Sequence, residues 1–182
     1  AVALVIVAAL AWTIAPYSSL MPVYAKDIFG GGPHTLGWLL SAAGFGALVS
    51  TAYLASRATV RGLGRVILYA AATSGIALAA FAYMRIYSLA LLLLVLVGGG
   101  TILAAASANT ILQTIVDDRL RGRVAGFYTM AFMGISPVGN LAAGALAATF
   151  GAPATFLANG LLCVAASLVF RRALPALGRR RL

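Results

Sequence analysis

Charged positions cut the chain into long uninterrupted apolar runs. Ala1–Ala25 carries no charge and ends at Lys26 and Asp27, just before a Gly30-Gly31-Gly32-Pro33 turn. Thr35–Ser56 ends at Arg57, Arg61 and Arg65; Val66–Met84 ends at Arg85; Ile86–Val116 ends at Asp117, Asp118 and Arg119. A helix needs about 20 apolar residues to cross a ~30 Å hydrocarbon core. A charge at mid-span costs about 2.5–3.5 kcal/mol, so charges mark span ends. The last run, Val124–Phe170, is roughly twice the length one span needs, and Gly151-Ala152-Pro153 supplies a break within it. The pattern predicts an all-α polytopic membrane protein with six transmembrane helices at about 2–25, 35–56, 66–84, 87–115, 123–149 and 154–170. They form one bundle over 1–173, followed by a basic tail, 174–182.

The distribution of arginine tests this count, because cytoplasmic loops of membrane proteins are enriched in Lys and Arg. With six spans and both termini cytoplasmic, all of the 13 basic residues except Lys26 and Arg85 fall on the cytoplasmic side. Treating the last run as a single span would carry Arg171, Arg172, Arg179, Arg180 and Arg181 across the membrane and erase the asymmetry. Six spans is the arrangement the charges favour.

Composition agrees with the membrane class. Hydrophobic residues make up 63% of the 182 residues, charged residues 9%, and the mean hydropathy is +1.03. Soluble domains are nearer 45–50% apolar and about 25% charged. The net charge of +10 lies in the gaps between apolar runs, which argues for topology and against a nucleic-acid partner. The opening AVALVIVAAL has neither Met nor a basic n-region and reads as the interior of a longer protein.

Within the spans, small and polar residues repeat at helical spacing. Ala42, Gly46 and Ser50 in the second span, and Ser136, Asn140, Gly144 and Ala148 in the fifth, are expected to contact neighbouring helices, where small residues permit close approach. Pro16, Pro22 and Pro137 interrupt the first and fifth spans, each removing a backbone donor. Thr13 and Tyr17 flank Pro16, and Ser136 and Asn140 flank Pro137. These four are candidates to line a cavity, the alternative being hydrogen bonds between helices. Asn109 and Gln113 share a face of the fourth span and either tie its end to a neighbour or face the same cavity.

The chain lacks the materials for other chemistry. No Asp, Glu, Lys or Arg lies in mid-span, so there is no proton-relay carboxylate of the kind pumps use. One His (His34), one Cys (Cys163) and one Lys (Lys26) make neither a nucleophile with its base nor a metal cluster. An enzyme is not expected, nor a cofactor, and Cys163 reads as a small packing residue. In VDDRLRGRV, Asp118 stands three residues before Arg121. A surface ion pair there is worth a few tenths to ~1 kcal/mol, weak enough to break in each working cycle. The alternative is that these charges set topology alone.

The string Asn109-Thr110, Leu112-Gln113, Asp118, Arg121-Gly122-Arg123-Val124 resembles the loop before the eleventh helix of major facilitator superfamily transporters. It most resembles the bacterial exporter branch that includes siderophore and macrolide efflux proteins. FYTMAFMGISPVGNLAAG, PVYAKDIFGGG and RGLGR fit the same branch. The signature loop of the superfamily, G-x-x-x-D-R-x-G-R-R, is kept in part by Asp118, Arg121, Gly122 and Arg123. The 57–65 loop keeps Arg61, Gly62 and Arg65 without an acid. The resemblance covers nearly the whole chain as the C-terminal half of a twelve-helix transporter.

The resemblance implies two inverted three-helix repeats, with spans one, two, four and five facing a central cavity. It implies alternating access, with Asp118, Arg121, Gly122 and Arg123 as a gating loop in a bacterial inner membrane. The implied substrate is a small organic, amphipathic molecule moved out of the cytoplasm. Proton coupling would then draw on the missing N-terminal half. The partners are the bilayer, the substrate, and that half or a second copy. The alternative is a half-size subunit or non-transporting scaffold that acts only as an oligomer.

Overall fold

A computed structural model of the protein describes residues 17–57, 62–116 and 121–178. It is all-α. Residues 17–23 are helical and pass into a π-helical turn over Tyr24–Ile28; together they are α1. Then come α2 (Pro33–Ala55), α3 (Leu63–Phe81), α4 (Tyr87–Ile115), α5 (Arg121–Phe150) and α6 (Ala152–Gly178). Among the described residues, four stretches are long and apolar enough to cross a bilayer: Pro33–Ala55, Leu63–Phe81, Tyr87–Thr114 and Ala152–Arg172. The protein is therefore a multi-helix polytopic membrane protein. α5, at 30 residues, is about 45 Å long at 1.5 Å per residue.

The helices begin and end for local reasons. Pro33 opens α2 at a position where its missing N–H costs nothing. The connections into α3 and α6 each use a glycine in the left-handed region, Gly62 at φ 82° and Gly151 at φ 85°, where a side chain would strain the backbone. α3 starts directly after Gly62, three residues ahead of the expected span. α6 continues past Arg171 and Arg172 to Gly178, so residues 174–178, expected in the tail, are helical. Charges end a hydrophobic span, but they do not interrupt backbone hydrogen bonding.

α4 is the centre of the bundle and packs between α2 and α3, and α6 packs on the far side of α3. The crossings are built on glycine. A Cβ at Gly98 would collide with the Ala43 carbonyl of α2, and one at Gly46 with the Val95 carbonyl of α4. Gly100 turns the other way, its Cβ position 2.6 Å from the Ala70 carbonyl of α3. The run Gly98-Gly99-Gly100 thus serves two neighbours at once, because successive residues on a helix point 100° apart. Glycine costs about 1 kcal/mol per residue against alanine in a helix interior; close packing with both partners offsets it.

Beside this crossing, Ser74 of α3 donates to the Val97 carbonyl at 3.1 Å, Thr101 donates to the same carbonyl at 2.6 Å, and the two hydroxyls lie 3.2 Å apart. Gly75 and Gly160 seat α3 on α6, each Cβ position within 2.8 Å of the other helix's backbone. Cys163 is buried in that seam, its Sγ 3.4 Å from the Ala71 carbonyl. It is a packing residue, as the sequence suggested.

Tyr24 anchors α1 in the core. It is fully buried and stacks between Phe81 and Phe156, with ring centroids 4.8 Å from each. Its hydroxyl donates to the Ala82 carbonyl at 2.7 Å. The π-turn that places it follows Pro22, and such turns are single-residue adjustments within otherwise α-helical segments.

Candidate substrate-facing surface

The polar candidates of the sequence converge on α5 and the helices beside it. α5 contacts α6 and, less extensively, α4. The face it buries is Gly139, Ala143 and Ala147, of which the two alanines pack against the core. The expected stripe of Ser136, Asn140, Gly144 and Ala148 lies one residue round the helix and meets a neighbouring helix at Asn140. Ser136 and Asn140 are half-buried, Gly144 and Ala148 exposed, and a Cβ at Gly144 would meet nothing within 4 Å. The stripe sits on the shoulder of an open surface, and Gly139 and Ala143 take the seam.

Asn140 is the polar centre of this shoulder. Its Oδ1 lies 3.4 Å from the Ser19 hydroxyl of α1, which joins the first and fifth helices. Ser19 was not among the sequence candidates; a lone serine in Tyr17-Ser18-Ser19-Leu20 carries no periodic signal. Tyr17 is half-buried and packs against both parts of the core. Thr13 lies outside the described residues.

Pro137 is inside α5 and leaves the Met133 carbonyl without its usual i+4 donor. Outward of it the face is apolar and wide: Phe127 is 68% exposed, Met130 74%, Met133 69% and Leu141 77%. Methionine adapts its shape and suits surfaces that accept many partners. The same helix is fastened at its other end, where the Tyr128 hydroxyl donates to the Ala105 carbonyl of α4 at 2.9 Å.

Asn109 and Gln113 are neighbours along α4. Gln113 Nε2 donates to Asn109 Oδ1 at 3.0 Å, so the amides satisfy each other along α4 and this bond ties no second helix. Side chains four apart on one helix are neighbours, and that local geometry wins. Of the expected gating loop, Asp118 lies outside the described residues. Arg121 begins α5, and Gly122 and Arg123 follow it as exposed residues of the first turn.

The family model of the Major Facilitator Superfamily matches residues 1–181. The chain belongs to this superfamily. Among curated relatives, the "Multidrug efflux pump Tap" of Mycolicibacterium fortuitum is 34% identical over 151 residues, covering 79% of this chain and 35% of that protein. The proteins of the same name from Mycobacterium tuberculosis and Mycobacterium bovis are each 36% identical over 161 residues, 88% of this chain and 38% of theirs. The chain thus spans little more than a third of the length of these relatives. No cluster of metal-ligating side chains occurs among the described residues.

Proposed function

We propose that the chain is the C-terminal six-helix half of a secondary transporter that exports a small, amphipathic organic molecule from the bacterial cytoplasm by alternating access. Its six helices cross the inner membrane as two inverted three-helix repeats with both termini cytoplasmic. The open face of α5 carries the reading. Phe127, Met130 and Met133 offer apolar, adaptable contact, while Ser136, Asn140 and the carbonyl released by Pro137 offer a few fixed polar groups. That combination suits a substrate with an apolar body and a polar end. Broken helices near mid-membrane often line the path in secondary transporters.

The other half of the machine covers the remaining exposed surface. Only 17% of the apolar window of α2 is buried, against 44% for α3, so α2 has a face left for a partner. The relatives, named as multidrug efflux pumps, support a broad substrate class. Asp118, Arg121, Gly122 and Arg123 form the cytoplasmic latch that opens in each cycle.

The test is a proteoliposome efflux assay with an amphipathic dye. The six-helix chain is compared with the same chain joined to a six-helix N-terminal half, under an imposed proton gradient. Gradient-driven efflux is expected only from the joined protein. Full transport by the six-helix chain as a monomer overturns the reading. Transport by a chain that cross-links to itself through Leu141→Cys instead selects the half-size subunit acting as a dimer.

A further inference from the structure

At the end of the bundle where α1 connects to α2 and α3 to α4, a pocket of about 470 Å³ opens to the surface. Four parts of the chain build it: Ile28 and Phe29 at the end of α1, His34 and Trp38 on α2, Arg85 before α4, and Tyr87 at its start. No residue of α5 lines it, so it is separate from the surface described above. Backbone contacts hold one wall in place. Phe29 and Gly31 donate their amides to the Tyr24 and Ala25 carbonyls, at 3.0 and 2.8 Å, and Tyr24 is itself anchored in the core. Gly30, between them, takes the left-handed conformation at φ 61°. The π-helical turn Tyr24–Ile28 thus ends at the pocket, and such turns are frequent at functional sites.

The lining combines hydrogen-bond donors with flat rings. Arg85 supplies a guanidinium fork and His34 a ring N–H. Among the described residues the one acid, Asp27, does not line the pocket. The first turns of α2 and α4 both border it, and a helix N-terminus favours negative charge. Phe29 and Tyr87 meet edge to face, with ring centroids 5.5 Å apart and planes at 75°, and the indole of Trp38 is largely exposed. A carboxylate pairs with a guanidinium through two parallel hydrogen bonds, and an aromatic ring packs well on such faces and edges. An acyl chain would find only Ile28 as an aliphatic wall. The lining therefore matches a planar acid better than a lipid.

We propose that this pocket binds a small aromatic carboxylate. The carboxylate meets Arg85 and His34, and the ring rests among Trp38, Phe29 and Tyr87. The volume is in the range of small-molecule sites, which are mostly apolar with a few placed polar groups. The proposal needs only the fold at this end of the bundle, so it stands apart from the transport reading.

The experiment titrates benzoate against the full-length protein in phosphatidylcholine nanodiscs, followed by saturation-transfer difference NMR. Saturable binding is expected. Benzyl alcohol, which lacks the charge, and acetate, which lacks the ring, are each expected to bind at least roughly ten-fold more weakly. R85Q is expected to weaken benzoate by roughly ten-fold or more, the loss of a charge-assisted pair, with melting unchanged because Arg85 is exposed. R85K keeps the charge without the fork and is expected to recover only part of the affinity. Thr35 lines the pocket, and slower maleimide labelling of Thr35→Cys in benzoate gives a second readout that leaves Arg85, His34 and Trp38 in place. Binding of benzyl alcohol or acetate as tight as that of benzoate, unchanged affinity in R85Q, or no protection of the Thr35→Cys label overturns the proposal. So does loss of benzoate binding when phosphatidylglycerol replaces phosphatidylcholine, which would mark the pocket as a lipid headgroup site. Absence of saturable binding, as when another part of the full-length protein covers the pocket, overturns it too.

Discussion

Gly98 and Gly144 are the same residue type in two long helices, and they carry opposite burdens. A side chain at Gly98 would enter the Ala43 backbone, while one at Gly144 would enter open space. Gly98→Val is expected to destabilise the bundle by about 1–3 kcal/mol, the usual cost of overpacking, and Gly144→Val to leave stability near that of the parent. The buried thiol of Cys163 provides the measurement, since a thiol-reactive dye reports its exposure during thermal unfolding in detergent. Tyr24 gives a second comparison. Tyr24→Phe keeps both ring stacks and loses the bond to the Ala82 carbonyl, so it is expected to cost about 1 kcal/mol. Tyr24→Ala loses the stacks as well, and a substantially larger fall in the same assay is expected.

At the scale of the helix, the question is which face each element buries. The α2 stripe at Ala42, Gly46 and Ser50 was legible in the sequence, and Gly46 indeed meets α4. Its partner, Gly98-Gly99-Gly100, was not singled out, because a run of glycines has no period and reads equally as a weak point. In α5 the spacing of small residues was correct and Asn140 reaches α1, while Ala143 and Ala147, one residue before Gly144 and Ala148, take the seam. We propose Asn140, on the open shoulder, as a substrate-side residue. Asn140→Leu is expected to lower dye efflux by roughly ten-fold, the effect of losing a polar contact worth about 1.4 kcal/mol, with melting changed little. Pro137→Ala restores a backbone donor and is expected to stabilise α5 while slowing turnover. Efflux rate and thermal melting, measured on the same preparations, separate the two effects.

The whole molecule poses the question of sidedness. The proposed topology, with arginine clusters on one side of an even number of crossings, puts residues 117–123 in the cytoplasm. A cysteine at position 123 (Arg123→Cys) is expected to react with a membrane-impermeant maleimide only in inside-out vesicles, and one at Arg85 (Arg85→Cys) only in right-side-out cells. The latch adds a functional test. Asp118→Arg alone is expected to reduce transport, and Asp118→Arg with Arg121→Asp to restore most of it. Equal loss in both would leave these charges a topological role only. The proposed ion pair, if at the surface, would contribute at most ~1 kcal/mol, so the effect should appear in transport rate and be absent from melting.

Helix positions were close to readable from the chain itself. The expected spans 35–56, 87–115 and 123–149 differ by no more than two residues at either end from α2, α4 and α5, because stranded charge in a bilayer is costly and leaves few alternative placements. The ends that moved, at Leu63 and Gly178, are set by backbone geometry, which charge does not report. The sequence by itself determined the class, the helical elements and the superfamily, since each depends on hydrophobicity and local pattern along one dimension. Which glycine meets which carbonyl, that Ser19 finds Asn140, that Asn109 and Gln113 turn to each other, and that α5 leaves its methionines uncovered were decided only in three dimensions. Those outcomes depend on the rotation and crossing of helices far apart in the chain, and van der Waals contact distinguishes phases that periodicity treats as equal.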